Sequence, residues 1–376
     1  MVRGFDCVVI GAGIAGASVG AELAESGLHV GVLEAEAQPG HHATGRSAAL
    51  YTTTYGPPVI RALSRASGPA LRADHPGLSH PLLRPRGALF VAPPGCEDTA
   101  ARLAGELGPA VHRLTPAQAR ARMPLLRTDA VAAALLEPDA ADIEVASLHA
   151  LFLRRLTAAG GVLLTRAPVR AITRDGAGWR LDSPAGTFRT DLLVNAAGAW
   201  ADAVADLAAV RPLGLQPRRR TAVVVDVPAG VDLRDSPMTI DINERWYVKP
   251  DAGRLLLSPA DASPSPPCDA APEEIDVAIA IDRVQGAMDL PVRRIVHKWA
   301  GLRSFLPDGD PVAGMDPAAA GFFWLAGQGG YGIQTAPALA RTAAALATGR
   351  ALPGDIADQG VSAAALSPAR LGARAR

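Results

Sequence analysis

Residues Gly11-Ala12-Gly13-Ile14-Ala15-Gly16 carry the glycine spacing that lets a backbone approach a pyrophosphate. Gly11 permits a tight turn, Gly13 leaves room for the phosphates, and Gly16 allows a following helix to lie close to the preceding strand. The free N–H groups at such a helix start face the anion. Glu34, eighteen residues past Gly16, stands where a carboxylate can accept hydrogen bonds from the hydroxyls of an adenosine ribose. A glycine motif alone is weak in a chain this rich in Ala and Gly, and a structural glycine turn competes with it. Strand, helix, second strand and acidic residue coincide here, which favours a bound dinucleotide. An acidic residue rather than a basic one disfavours a 2′-phosphate.

Two further segments choose between the dinucleotides. Gly45-Arg46-Ser47-Ala48-Ala49 follows the second strand, where a long cofactor would continue. Gly327-Gln328-Gly329-Gly330-Tyr331-Gly332 lies between a late strand and a helix, whose N-terminus can stabilise negative charge on a reduced ring. Each is a plain loop if taken singly; their order along the chain favours FAD over NAD. Arg220 closes the basic run Arg218–Arg220 and by position alone reads equally as a surface arginine. Arg303, between Trp299 and Phe305, competes with a structural ion pair, and Tyr55 and Tyr247 with packing tyrosines. The adjacent pair His41-His42 reads as loop contacts to cofactor or solvent rather than as a metal pair. No metal is expected.

The elements that must position these residues alternate in texture. Residues 5–10, 28–34, 191–195 and 322–326 read as buried strands, and 14–26, 145–159 and 332–348 as helices, a pattern of parallel strands with covering helices. Between them, 88–92, 221–227, 246–249 and 254–257 read as strands broken by Pro and Gly, and 258–272, with five prolines, as a loop. The expected fold class is α/β: a Rossmann-like FAD-binding domain from 1–80, 145–210 and 300–376. An inserted α+β substrate domain, 81–144 and 211–299, is built on a mostly antiparallel sheet. The tail after Pro353 is expected to be only partly ordered.

Composition narrows the class. The 376 residues suffice for about two domains, and 37 basic residues balance 37 acidic ones, so no global field draws the chain to nucleic acid. Cys7, Cys96 and Cys268 are scattered and form no CxxC pair, which suits a reducing compartment. The opening apolar stretch is broken by Asp6 and by glycines and does not read as a signal peptide. With no apolar run of about 18 residues, no spanning helix is expected. The expectation is a cytoplasmic protein.

The chain resembles the D-amino-acid oxidase/glycine oxidase (DAO) superfamily of flavoproteins, and within it the bacterial D-arginine dehydrogenase group. The likeness runs from Val8 to about Pro368. It is carried by Ile10–Gly16, Gln38-Pro39-Gly40, Thr44–Ala49, Tyr51-Thr52, Tyr55-Gly56, Leu193–Trp200, Arg211–Arg220, Tyr247–Gly253, Trp299–Phe305, Asp308–Asp310 and Gln328–Thr335. The resemblance implies non-covalent FAD, with the ADP half held by the Gly11–Gly16 loop, Glu34 and Ala35. It places Thr44, Gly45, Arg46, Ser47 and Ala48 beside the flavin. Val169, Ala196, Ala197, Gly198 and Trp200 add contacts, and Gly329, Gly330, Tyr331, Gly332, Ile333 and Gln334 close over the ring. It further implies that Arg220 and Arg303 clamp a substrate carboxylate, helped by Tyr55 and Tyr247, and that the Gly330 carbonyl receives the amine. Hydride would leave Cα for flavin N5, and the imine would hydrolyse to a 2-oxo acid and ammonia.

Two departures alter the side-chain pocket. Members that accept arginine or lysine carry an acidic residue where this chain has Ala88 and a histidine where it has Leu50. Without those partners a cationic side chain loses several kcal/mol. Leu50, Ala88, Met238 and Ile240 as walls, with Gln334 beside them and Thr52 offering one hydrogen bond, predict a neutral, apolar pocket. The main expectation is a D-amino-acid dehydrogenase or oxidase. The alternatives are a secondary-amine enzyme (N-methyl amino acid, imino acid or glycine) and a flavin-binding partner without turnover. A quinone or another acceptor is favoured over oxygen. No cysteine is expected near the flavin, and His41 or His42 stays open as a tether.

Overall fold

A computed structural model describes residues 2–372. Its first sheet has eight strands, and its centre is parallel. Val2–Ile10 lies between Val30–Leu33 and Gly186–Asn195, with Val162–Leu164 outside the former and Phe322–Ala326 outside the latter. The chain therefore leaves the central strand at the point where strand order reverses. In a parallel α/β sheet the crevice at such a switch point is where ligands bind. Val30–Leu33 is buried at every position, as a strand covered on both faces must be. The helices Ile14–Glu25, Val145–Ala158 and Gly332–Ala347 pack on one face over a core that includes Leu23, Phe152 and Phe323. Trp179, Phe188 and Trp324 lie in the core on the other face.

A second sheet of nine strands is antiparallel except where Met238–Asp241 runs parallel to Ala88–Ala92. Its longest pairing, Gln216–Asp226 with Ile295–Phe305, sets Arg220 opposite Gly301 and Arg218 opposite Arg303. Residues two apart on a strand share a face, so Arg303 and Arg220 project from the same side as diagonal neighbours. Tyr247 comes from another strand of the same sheet, Tyr247–Asp251. A small sheet of Leu50–Tyr51, Leu83–Pro85 and Ala141–Ile143 links the two large ones.

Segment 258–272 keeps its irregular character after Ser258, which ends the Arg254–Ser258 strand, save for a two-residue strand, Ser263–Pro264. Beyond Pro353 the chain is more regular than expected. Its described residues, up to 372, form three short helices, and Ser362 caps the second of them. The Arg370 guanidinium donates to the Asp308 carboxylate at 2.8 Å and to the Asp310 carbonyl at 2.8 Å, which ties that end to the loop before Val312. Among the described residues no helix is long and apolar enough to cross a membrane.

Candidate functional site

An elongated cavity of about 420 Å³ runs from Glu34 to Arg303 and opens onto the N-terminus of the Ile14–Glu25 helix. The glycines at its edge are fixed by sterics. Gly11 has φ of 97°, and a Cβ there would meet the Ala196 carbonyl oxygen at 2.6 Å. A Cβ on Gly16 would stand 1.8 Å from the Gly11 carbonyl oxygen. Gly13 caps the helix without a side-chain bond, and the Thr44 hydroxyl accepts the Ile14 N–H at 2.9 Å instead. At the far end the buried Glu34 carboxylate accepts the Ala12 N–H at 2.7 Å and the Glu36 N–H at 2.9 Å. Each oxygen keeps a lone pair for a ribose hydroxyl. Turn, helix terminus and carboxylate thus fit the ADP half of FAD, and Glu34 and the Gly11–Ile14 backbone would hold it.

The cavity surface includes Gly11, Gly13, Ile14, Ala15, Glu34 and Ala35 from the nucleotide end. Thr44, Arg46, Ser47 and Ala48 line its flank, as do Val169, Ala196, Ala197, Gly198 and Trp200. Gly329, Gly330, Gly332 and Ile333 border it near Arg303. Five of the residues expected at the cofactor lie off that surface. Ala12 and Gly16 lie behind the turn, Gly45 is exposed, Tyr331 packs edge-on against Tyr55, and Gln334 borders the smaller cavity. Cys268, by contrast, reaches the cavity wall, because the proline-rich segment folds back over Arg46. This corrects the expectation that no cysteine lies near the flavin site: the thiol is far in sequence from the ring-facing motifs but not in space.

A residue that sequence reasoning missed supports the turn from below. His149, buried on the Val145–Ala158 helix, bonds through Nε2 to the Ala12 carbonyl at 2.8 Å. The Ala12 peptide is therefore held at its N–H by Glu34 and at its oxygen by His149. Burial pushes the His149 pKa below its ordinary 6.5, against the opposing pull of the Ala12 carbonyl and the Glu34 charge. The unfolded chain then binds a proton that the folded one resists. The His149 contribution to stability is complete above pH 6.5 and is lost as pH falls through the lower, folded value. The parent protein is expected to lose Tm as pH falls between about pH 7 and pH 5, and His149→Gln, which cannot titrate, is expected to flatten that fall. An unchanged slope in a thermal melt series would count against this.

A second, smaller cavity of about 80 Å³ adjoins the first, and Arg220, Tyr247, Arg303 and Gly330 border both. Its walls carry Leu50, Ala88, Met238 and Ile240, together with Phe90 and Trp246. Arg220 Nε donates to the Asp261 backbone carbonyl at 2.6 Å, while the Asp261 carboxylate is 3.9 Å away and engaged by Thr221. Burial, and then the Arg303 charge, push the Arg220 pKa below its ordinary value. Arg303 forms no ion pair among the described residues. It packs flat on the Gly330 backbone, where a Cβ would stand 2.8 Å from Nη1. Burial above all raises the Tyr55 pKa, so its phenol stays protonated and can donate. Two adjacent guanidiniums without a full counter-charge, flanked by Tyr55 and Tyr247, can take a planar carboxylate.

Two expectations about this pocket need correction. The Thr52 hydroxyl is not available to a ligand: it donates to Glu137 at 2.6 Å and accepts the Thr54 N–H at 3.2 Å. The Gln334 side chain is similarly committed, accepting the Thr52 N–H at 3.2 Å and donating to Ser64 at 2.9 Å. The pocket is not wholly apolar, because Glu244 stands at its rim in a left-handed turn (φ 56°), 3.4 Å from the Tyr55 hydroxyl. No local signal in the sequence marks that carboxylate as facing Tyr55. His41, His42 and Asp269 cluster at the cavity mouth, but Arg46 already pairs with Asp269, and His42 bonds Glu36 at 3.1 Å.

The family model described as DAO, FAD dependent oxidoreductase, matches residues 6–346. A glycine oxidase from Geobacillus kaustophilus is 28% identical over 360 residues, covering 90% of this chain and 91% of that one. Its crystal structure superposes with a TM-score of 0.81 at 25% identity over 93% and 96% of the two chains. Human mitochondrial sarcosine dehydrogenase is 26% identical over 56% of this chain, which matches only 24% of that longer protein. The crystal structure of L-proline dehydrogenase from P. horikoshii shares the fold, with a TM-score of 0.84 at 21% identity over 99% of each chain.

Proposed function

Because the chain belongs to the DAO family of FAD-dependent oxidoreductases, we propose that it dehydrogenates the Cα–N bond of a D-amino acid with a neutral, apolar side chain. The carrying observation is Arg303: a guanidinium with no ion pair among the described residues, sharing a cavity wall with Arg220. Such a pair gains most from a carboxylate that binds between them, and fixing the carboxylate fixes the Cα beside it. The hydroxyls of Tyr55 and Tyr247 add donors to the same oxygens. The Gly330 carbonyl, at the border of the two cavities, accepts from the substrate amine. A neutral amine needs no protein base, and among the described residues Glu244 at the rim is the one carboxylate lining the smaller cavity. Bound FAD supplies the two-electron acceptor. Leu50, Ala88, Met238 and Ile240 leave an aliphatic or aromatic side chain without a desolvated charge. The final electron acceptor in this reading is a quinone or another small oxidant, and the imine released hydrolyses to a 2-oxo acid and ammonia.

A second reading, oxidation of a secondary amine or of glycine, draws on the names of the relatives and on the small volume of the inner cavity, about 80 Å³. A panel without oxygen separates them. D-leucine, D-methionine and D-phenylalanine are each expected to bleach the flavin about tenfold or more faster than D-arginine, L-leucine or sarcosine at equal concentration, a difference of ~1.4 kcal/mol. Faster bleaching by sarcosine or L-proline favours the second reading, and faster bleaching by D-arginine removes the neutral-pocket argument.

A further inference from the structure

Tyr55 sits in a segment with no secondary structure of its own. Residues 53–57 form bends between Thr52, which follows the Leu50–Tyr51 strand, and the Pro58–Arg72 helix. Three consecutive backbone N–H groups there are satisfied by side chains alone. Gln334 accepts the Thr52 N–H at 3.2 Å, Glu137 the Thr53 N–H at 2.9 Å, and the Thr52 hydroxyl the Thr54 N–H at 3.2 Å. That hydroxyl donates in turn to Glu137 at 2.6 Å, and the Thr54 hydroxyl donates to the same carboxylate oxygen at 2.5 Å. The conformation leading into Tyr55 thus converges on one side chain.

Glu137 itself is unusual. It ends the Ala133–Glu137 strand, is 2% exposed, and forms no ion pair among the described residues. A carboxylate so placed costs free energy unless hydrogen bonds satisfy both oxygens, and here every one of those bonds comes from Thr52, Thr53 or Thr54. Its cross-strand partner is Ala88, a wall of the smaller cavity. A buried acid whose whole bonding capacity is spent on one irregular loop beside the site has a shape-holding task.

We propose that Glu137 is the positioning residue for Tyr55, setting the Thr52–Thr54 bend so that the phenol reaches the carboxylate held by Arg220 and Arg303. The inference rests on the carboxylate role given to Tyr55 under the proposed function. Gly56 anchors the other side of the same residue: its carbonyl accepts from Arg61 Nε at 2.7 Å, and a Cβ there would meet the Tyr331 ring at 3.1 Å. Tyr55 is therefore held from both flanks, by Glu137 before it and by Gly56, Arg61 and Tyr331 after it.

The test is a double-mutant cycle on the FAD-loaded enzyme, with 3-methylbutanoate as a carboxylate that cannot be oxidised and the flavin absorbance shift as its binding signal. Tyr55→Phe and Glu137→Leu are each expected to weaken binding about tenfold, and the double variant to be no weaker than Tyr55→Phe alone. Glu137→Gln keeps an acceptor for the Thr53 N–H, and the threonine hydroxyls can turn to accept from its amide, so less than about a threefold loss is expected. If Glu137→Leu does not fold, Thr54→Val removes one of the bonds and is expected to give about threefold weakening, again absent in the Tyr55→Phe background. A tenfold loss that multiplies with Tyr55→Phe, or a silent Glu137→Leu beside an effective Tyr55→Phe, overturns the assignment of Glu137. A silent Tyr55→Phe overturns the carboxylate role of Tyr55 and this proposal with it.

Discussion

Replacing Arg303 with leucine is expected to lower kcat/KM for the preferred amino acid by about a thousandfold or more, ~4 kcal/mol, while the protein keeps its flavin colour. The size of the effect follows from the surroundings. Arg303 lies against the Gly330 backbone and forms no ion pair among the described residues, so its charge is directed at a ligand. Its loss leaves a bound carboxylate facing Arg220 alone, and the Arg220 Nε is already turned to the Asp261 carbonyl. Arg303→Lys keeps the charge but not the planar fork, and an intermediate loss is expected. FAD binding is spared because the nucleotide half of the cavity is at the Glu34 end. Steady-state rates together with the flavin spectrum of the purified variant check both parts. A loss of colour parallel to the loss of rate would reassign Arg303 to the cofactor.

The second large effect is expected at the opposite end. Gly16→Ala places a Cβ 1.8 Å from the Gly11 carbonyl oxygen, so helix and turn cannot both keep their positions. The Gly11–Ile14 N–H groups then lose their common aim, and FAD affinity is expected to fall about a hundredfold or more, ~2.7 kcal/mol. Gly4→Ala is the matched control: it lies on the strand that leads to the turn, and its added Cβ meets nothing within 4 Å. Fluorescence titration of the apoproteins with FAD should separate the two. Equal affinities would mean that the turn relaxes at little cost.

How much of this was legible in the sequence depends on how local each interaction is. The glycine turn, its strand and Glu34 are set by spacing within one βαβ unit, and the structure assembles them as that spacing requires. Arg220 and Arg303 were visible as residue types, but their sharing of a face depends on the register between two long strands. The residues missed are those whose meaning comes only from distant contacts. His149 acts on Ala12 from 137 positions away, and Glu137 holds Thr52 from 85. Glu244 and Cys268 reach the cavities through a tight turn and a proline-rich crossing, neither of which has a periodicity to read. Thr52 and Gln334 border the smaller cavity, but their polar atoms are engaged in the protein's own hydrogen bonds. Residue type alone does not reveal which partner wins.

In the proposed reaction a carboxylate seated between Arg220 and Arg303 presents the reacting carbon to the flavin. The most direct measurement mixes the FAD-loaded protein, without oxygen, with the most active amino acid of the panel and separately with the amine left when its carboxylate is removed, following flavin absorbance. Rapid bleaching by the amino acid and none by the amine at the same concentration are expected. Equal bleaching by both, or none by any carboxylate-bearing amine while the flavin stays bound, would contradict that role of the carboxylate.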